Sequence, residues 1–215
     1  MAAVRHPIFA RFFDRFSQGM EKEVGPYRDE MLAGLSGRVL EVGAGNGMNF
    51  ARYPATVDEV VALEPEPYLR QKAEAAARSA PVRVTVRDGV AHPLPLEDDS
   101  FDAAVASLVL CSVPDPDHAI AELRRVLRPG GELRFLEHVA ARSPRLALLQ
   151  RALDATLWPR MMGGCHTTRY TEAAIRGAGF QMEERERFSF RAHVIGTPVA
   201  PRILGRARRP AQALR

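Results

Sequence analysis

The 215-residue chain has only two cysteines and one tryptophan, and no apolar run of membrane-spanning length. Two cysteines, Cys111 and Cys165, are too few for the disulfide framework of a secreted domain, and reduced thiols in a cytoplasm fit that count better. The longest apolar stretch, AAVASLVLCSV at 103–113, falls well short of the ~20 residues that a transmembrane helix needs. At the start, MAAVRHPIFARFFDRF breaks its apolar residues with arginines, which excludes a signal peptide. No C-x-x-C, H-x-x-x-H or H-E-x-x-H spacing occurs, and the adjacent Cys165 and His166 are poorly placed to chelate one ion together, so no metal is expected. Acids are missing from the last fourteen positions, which hold Arg202, Arg206, Arg208, Arg209 and Arg215. The formal charge of +4 comes from this end, and the remainder is close to neutral. A nucleic-acid partner is therefore not expected, and residues 199–215 read as an Arg-rich disordered tail. No repeat or low-complexity block precedes it.

What is present is a 46% apolar chain, long enough for one well-buried domain. Short apolar or β-rich runs at 38–43, 58–64, 82–88, 101–110 and 132–139 mostly lack polar alternation, as in strands buried on both faces. Between them lie PEPYLRQKAEAAARS, with prolines at its first turn, and DPDHAIAELRRVL, with Ile120, Leu123 and Leu127 at helical spacing. The alternation predicts an α/β fold, a mostly parallel sheet with helices on both faces. In such sheets a ligand sits at the carboxyl ends of the strands, near the switch in strand order.

The first strand run ends in VLEVGAGNGMNF, with Gly43, Gly45 and Gly47 at alternate positions and Glu41 just before them. A bend without Cβ atoms lets a nucleotide-like ligand approach the backbone. The dinucleotide pattern G-x-G-x-x-G would need a glycine where Met48 stands. Glu64 ends the second run, where a carboxylate can take both hydroxyls of a ribose. NAD and S-adenosylmethionine remain tied to this point; the glycine register and two later segments, HPLPLEDDSFDAAVAS and RVLRPGGELRF, separate them.

LEVGAGNG, ALEP, LPLEDDSFD and RVLRPGG, in this order and spacing, resemble the class I S-adenosylmethionine-dependent methyltransferases, especially the small-molecule branch that includes ubiquinone and menaquinone methyltransferases. SLVLCSV, FLEHVAA and GGCHTTR are further similar to methyltransferase-like proteins that methylate alkyl thiols, and the N-terminal membrane anchor of those relatives is not expected here. The resemblance implies a Rossmann-like seven-stranded sheet whose last two strands form a reversed hairpin, placed here at 181–188 and 191–198. Residues 1–35 are expected as a helical lid and 36–198 as the methyltransferase domain. It implies S-adenosylmethionine as cofactor, with Glu41, Gly43, Ala44, Gly45, Gly47, Glu64, Pro65 and Ser107 around it. Val90 stands where many relatives carry an adenine-side Asp, so Asp88 or a backbone N–H at Ala91 or His92 is expected there. Amino-group methyltransferases of DNA carry Asn/Asp-Pro-Pro-Tyr where this chain has SLVL, which again argues against a nucleic-acid substrate.

A sulfonium methyl is already activated, so positioning of a small-molecule acceptor carries much of the catalysis. A base matters only where the acceptor must lose a proton; His138, beyond the fifth strand, is the candidate, since imidazole titrates near neutral pH. Phe12, Phe16, Trp158, Cys165 and His166 are expected to line the acceptor pocket. The apolar positions Ile8, Phe9, Phe12, Phe13, Phe16 and Met20 recur at helical spacing and predict a covering helix, with contact to a membrane surface as the less favoured alternative. A thiol is the favoured acceptor; a quinone-type carbon or a lipid amine, and a non-catalytic cofactor-binding protein, are the alternatives.

Overall fold

In the computed structural model, which describes residues 6–190 and 198–211, seven strands form one sheet. They are β1 (Gly37–Val42), β2 (Val57–Leu63), β3 (Arg83–Arg87), β4 (Phe101–Ser107), β5 (Leu127–His138), β6 (Gln181–Ser189) and β7 (Pro201–Arg208). Their order is β3-β2-β1-β4-β5-β7-β6, with β7 antiparallel to both neighbours and the other pairings parallel. The chain runs outward from β1 in both directions, so the switch in strand order falls between β1 and β4.

Alternation along the central strands separates two cores. Leu40, Val42, Ala104 and Ala106 pack with Ile120 and Leu123 of α4 (Pro116–Val126) and Ile175 of α7 (Thr171–Gly177). On the other face Val39, Ala103 and Val105 pack with Met31 and Leu32 of α2 (Glu21–Leu32) and Ala73 of α3 (Pro67–Ala77). Both α3 and α4 start with proline in the first turn and a side-chain cap: Glu66 accepts from the Leu69 N–H, and Asp115 from the His118 N–H. The Pro-Gly-Gly segment loops out within β5, where Phe101 pairs with Leu127 and Ala103 already pairs with Glu132.

Three expectations are corrected. The strand expected at 191–198 falls mostly on residues outside the described ones, and the partner of β6 is β7, inside the supposed tail. There Arg206 and Arg208 pair with Glu183 on β6, Arg206 also with Glu184, and Arg209 with Asp99, while Arg202 is buried against Phe190. The acids absent from the C-terminal segment itself are supplied by other elements, and the arginines pin an inner strand. Arg215 lies outside the described residues.

Secondly, α2 belongs to the core, because Val24, Met31 and Leu32 are buried. Only α1 (Pro7–Gly19) is left to cover anything. Thirdly, α1 is rotated from its apolar pattern: it buries Ala10, Asp14 and Ser17, and it leaves Ile8, Phe12 and Phe16 exposed. Asn46 Nδ2 donates to Asp14 Oδ1 (2.9 Å) and Ser17 Oγ (3.0 Å), and the Tyr68 hydroxyl donates to Asp14 Oδ2 (3.1 Å). These polar contacts set the rotation. Phe12 and Phe16 stack on each other at the surface, where they line an open hollow with Arg11, Arg15 and Tyr68 on the outer side of α1. The aromatic residues of α1 that face inward are Phe9 and Phe13: a methyl at Gly163 would collide with Phe9, and one at Gly45 would come within 3.3 Å of Phe13.

Candidate active site

The glycine turn leaves β1 at the switch point, with φ of +62° at Gly43, +59° at Gly45 and +81° at Gly47. At Gly43 an added Cβ would also lie 2.3 Å from Val109 Cγ2, so only glycine lets this turn and the segment after β4 pass each other. The Ala44 N–H donates to the Leu63 carbonyl, tying the turn to the end of β2. Just beyond, Glu64 is buried and accepts from the Gly45 N–H at Oε2 (2.8 Å) and from the Glu66 N–H at Oε1 (2.9 Å). Burial raises its pKa against the pull of those amides.

Beneath the turn, Glu41 accepts from Asn49 Nδ2 and from the Tyr53 hydroxyl, both at 2.7 Å. Arg28 donates to Asn49 Oδ1 (2.8 Å) and to Ser107 Oγ (3.3 Å), so a fully buried carboxylate is linked through one amide to a buried guanidinium. Burial pushes Glu41 up to about 7, although Tyr53, Asn49 and Arg28 each favour the ionised form. Arg28 was not legible in the sequence, since α2 gives no local sign of reaching the turn, and the sequence reading also passed over Asn49 and Tyr53, which follow the turn.

The proposed adenine side is less populated. Asp88 has a side chain 72% exposed and is held by Arg70, which also donates to the Glu64 and Pro65 carbonyls. It reads as a solvated strand-end acid. Ala91 is buried in the core.

Across the switch point, three segments meet at the end of β5. His138 is its last residue, and its Nδ1 lies 3.6 Å from Cys111 Sγ and 3.5 Å from Cys165 Sγ; the two sulfurs are 3.9 Å apart. His138 Nε2 is buried without a hydrogen-bond partner. Glu137, fully buried, accepts from the N–H groups of Val109 (2.9 Å), Leu110 (2.8 Å) and Cys111 (3.1 Å), which fixes the loop after β4. Burial holds its carboxyl well above the ordinary range against those donors. The opposite loop is locked by the His166 N–H on the Cys111 carbonyl (2.8 Å), by Arg169 on the Val113 carbonyl (2.8 Å), and by Asp154 accepting from Thr167 and Thr168. His166 turns its Nδ1 toward the Gly164 carbonyl and so serves the loop. Trp158 opens α6 (Trp158–Met161) half-buried, its Nε1 without a partner. Glu137 was the residue overlooked beside His138.

The Methyltransferase domain family matches residues 40–135. Thiol S-methyltransferase TMT1B of Homo sapiens is 36% identical over 181 residues, covering 82% of this chain and 73% of that protein. The ubiquinone/menaquinone biosynthesis C-methyltransferase UbiE of Syntrophotalea carbinolica is 30% identical over 170 residues, 73% of this chain and 70% of its own. The chain is a class I S-adenosylmethionine-dependent methyltransferase. In fold it is similar to the S-adenosylmethionine-dependent methyltransferase from Mesorhizobium loti, with a TM-score of 0.63 at 22% identity over 86% of this chain and 97% of the other.

The residues of this methyltransferase fit its cofactor, S-adenosylmethionine. Each oxygen of Glu64 takes one amide and retains a lone pair for a ribose hydroxyl. Glu41 is a buried acid beneath the glycine turn, and α1 lies over the turn at Phe13. No helix among the described residues is long and apolar enough to cross a membrane.

Proposed function

We propose that the methyltransferase transfers a methyl group to the sulfur of a small thiol, with Glu64 on the ribose, Glu41 toward the methionine end, and His138 at the acceptor. The observation that carries this reading is the imidazole of His138, set at the end of β5 with a buried, unpartnered Nε2. The 36% identity to a thiol S-methyltransferase supports it. An amine acceptor would call for a free acid at the same place, and Glu137 is committed to three amides.

When bound, the cofactor supplies a methyl activated by sulfonium charge. What the chain must add is position and an ionised acceptor. A thiol of pKa ~8.5 is only a few per cent thiolate at neutral pH, and the thiolate is the nucleophile. With its proton on Nδ1, donated toward a cysteine sulfur, His138 has Nε2 free to take the acceptor's proton. Phe9 and Phe13, spanning from Gly163 to Gly45, close α1 over both halves and exclude water. The free, reduced cysteines suit a cytoplasmic setting.

A screen of alkyl and aryl thiols, phenols, quinols and amines, reading out S-adenosylhomocysteine, tests the acceptor. S-methyl products are expected, and product from a quinol or amine alone would remove the thiol. His138→Ala should lower turnover with a thiol by about 100-fold or more at pH 7, the deficit shrinking toward pH 9 as the thiol ionises unaided. A deficit constant with pH would reduce His138 to a positioning residue.

Cofactor affinity should also depend on pH through Glu41. With a pKa of about 7 in the free protein, Glu41 is protonated below neutrality, and a cationic ligand favours its ionised form. Binding then releases a proton. The affinity should rise with pH, by up to about tenfold per unit below pH 7, and level off above it. Calorimetry from pH 5.5 to 8.5 checks this, and Glu41→Gln should flatten the profile.

A further inference from the structure

We infer that Cys111, Cys165 and His138 form a binding site for a soft divalent cation, Zn2+, held by two thiolates and Nδ1, with a fourth position open to the acceptor's sulfur. Among the described residues, these three ligand atoms converge within 4.8 Å of one another. Tetrahedral zinc with bonds of about 2.3 Å to sulfur and about 2.05 Å to nitrogen sets sulfur–sulfur edges of about 3.8 Å and sulfur–nitrogen edges of about 3.55 Å. The protein has 3.9, 3.6 and 3.5 Å. Three separate segments bring the ligands to this spacing, each fixed from behind: Cys111 by Glu137 on its N–H, Cys165 by the His166 N–H on the Cys111 carbonyl, and His138 by the β5–β7 ladder.

The donor set contains no oxygen, which selects a thiophilic ion over magnesium or calcium. Three protein ligands with one position left over is the arrangement of a catalytic zinc, whereas a structural site closes all four. Without a cation the two cysteines are free, their sulfurs 3.9 Å apart. Binding Zn2+ replaces both protons, and the two thiolates cancel its charge. The buried guanidinium of Arg202, across the ladder from His138, therefore faces no excess of positive charge.

The open position rests on the thiol reading above; the cation site does not. In the loaded protein the acceptor loses its proton to solvent on joining the cation. Its sulfur lone pair then forms the new S–CH3 bond as the methyl–sulfonium bond breaks, giving a thioether and S-adenosylhomocysteine. The cation takes over the ionising role of the free imidazole.

Protein stripped with a chelator under reducing conditions is titrated with Co2+ as a coloured stand-in for Zn2+. The expected result is one equivalent per chain, a thiolate-to-cobalt charge-transfer band, about two protons released per ion, and displacement by Zn2+. Cys111→Ser and Cys165→Ser should each lose the band and weaken uptake by about 100-fold or more, with S-adenosylmethionine binding retained as evidence of folding. Absence of cobalt uptake, or uptake indifferent to both substitutions, would overturn the site. An alkyl thiol added to the cobalt form should strengthen the band as a third thiolate joins, and an unchanged band overturns the open position. Full thiol methylation by chelated protein would overturn the acceptor's place on the cation and leave the thiol reading standing. A zinc-loaded protein that methylates no thiol would remove that reading and leave the cation site.

Discussion

Glu64→Ala is expected to weaken S-adenosylmethionine binding by about 100-fold or more, because a buried carboxylate contributes ~1.5–3 kcal/mol to each of two ribose hydroxyls. The residue also holds the glycine turn, since its two oxygens accept the N–H groups of Gly45 and Glu66. Truncation therefore removes the ribose acceptor and frees the turn at once. Glu64→Gln separates the two effects: it keeps one acceptor oxygen but has an amide hydrogen where the other stood, so an intermediate loss is expected. Burial raises the pKa of Glu64, so its acceptor strength is reached only as pH rises through that shifted value. Calorimetry at pH 8 gives the full effect. An alanine variant that binds as tightly as the parent would place the ribose elsewhere. NADH at comparable concentration should not displace the cofactor, and displacement would reopen the dinucleotide reading of the turn.

Glu137→Ala should cost about 3–5 kcal/mol of stability, lowering Tm by roughly 10 °C. Three N–H groups, from Val109, Leu110 and Cys111, would lose their acceptor. The side chain is fully buried, so no bulk water replaces it without reorganisation. The loop carries Cys111 and, at Leu108, a non-glycine φ of +58°, a conformation it holds only while anchored. Glu137→Gln should be milder: its carbonyl can accept from Val109 and Leu110, both of which use Oε1, while its NH2 meets the Cys111 N–H. The folded pKa is raised, so the stability contributed by the carboxyl is complete below the ordinary value of a glutamic acid. It is lost as pH rises through the shifted one. Thermal unfolding measures the cost, and hydrogen exchange localises it: the amides of 109–111 should exchange first in the alanine variant. Unchanged protection there would mean that another group holds the loop.

The cofactor half was legible because its signals are local. The turn, the strand before it and the carboxylate at the tip of the next strand lie in one βαβ stretch, where steric rules on φ and the run of apolar residues act within a few positions. The C-terminal strand was not legible. PRILGRAR reads as a charged tail because the acids that neutralise it, Glu183 and Glu184, belong to its sheet partner, and Asp99 lies about a hundred residues away. The face of α1 was misread for a similar reason. Periodicity favoured Phe12 and Phe16, but Asp14 finds Asn46 and Tyr68 on elements that pattern cannot see, and a buried acid with such partners outweighs two exposed rings.

By itself the sequence determined the alternating, mostly parallel sheet and the glycine turn with Glu41 and Glu64, since each depends on backbone geometry and burial that neighbouring residues impose, and its family resemblance supplied the cofactor. Only the tertiary structure decided the acceptor half. Cys111, His138 and Cys165 are each 27 positions from the next, so no motif spacing joins them. They meet because β4 and β5 are adjacent strands ending at one level, and because a loop beyond α6 is hydrogen-bonded onto the first of those ends.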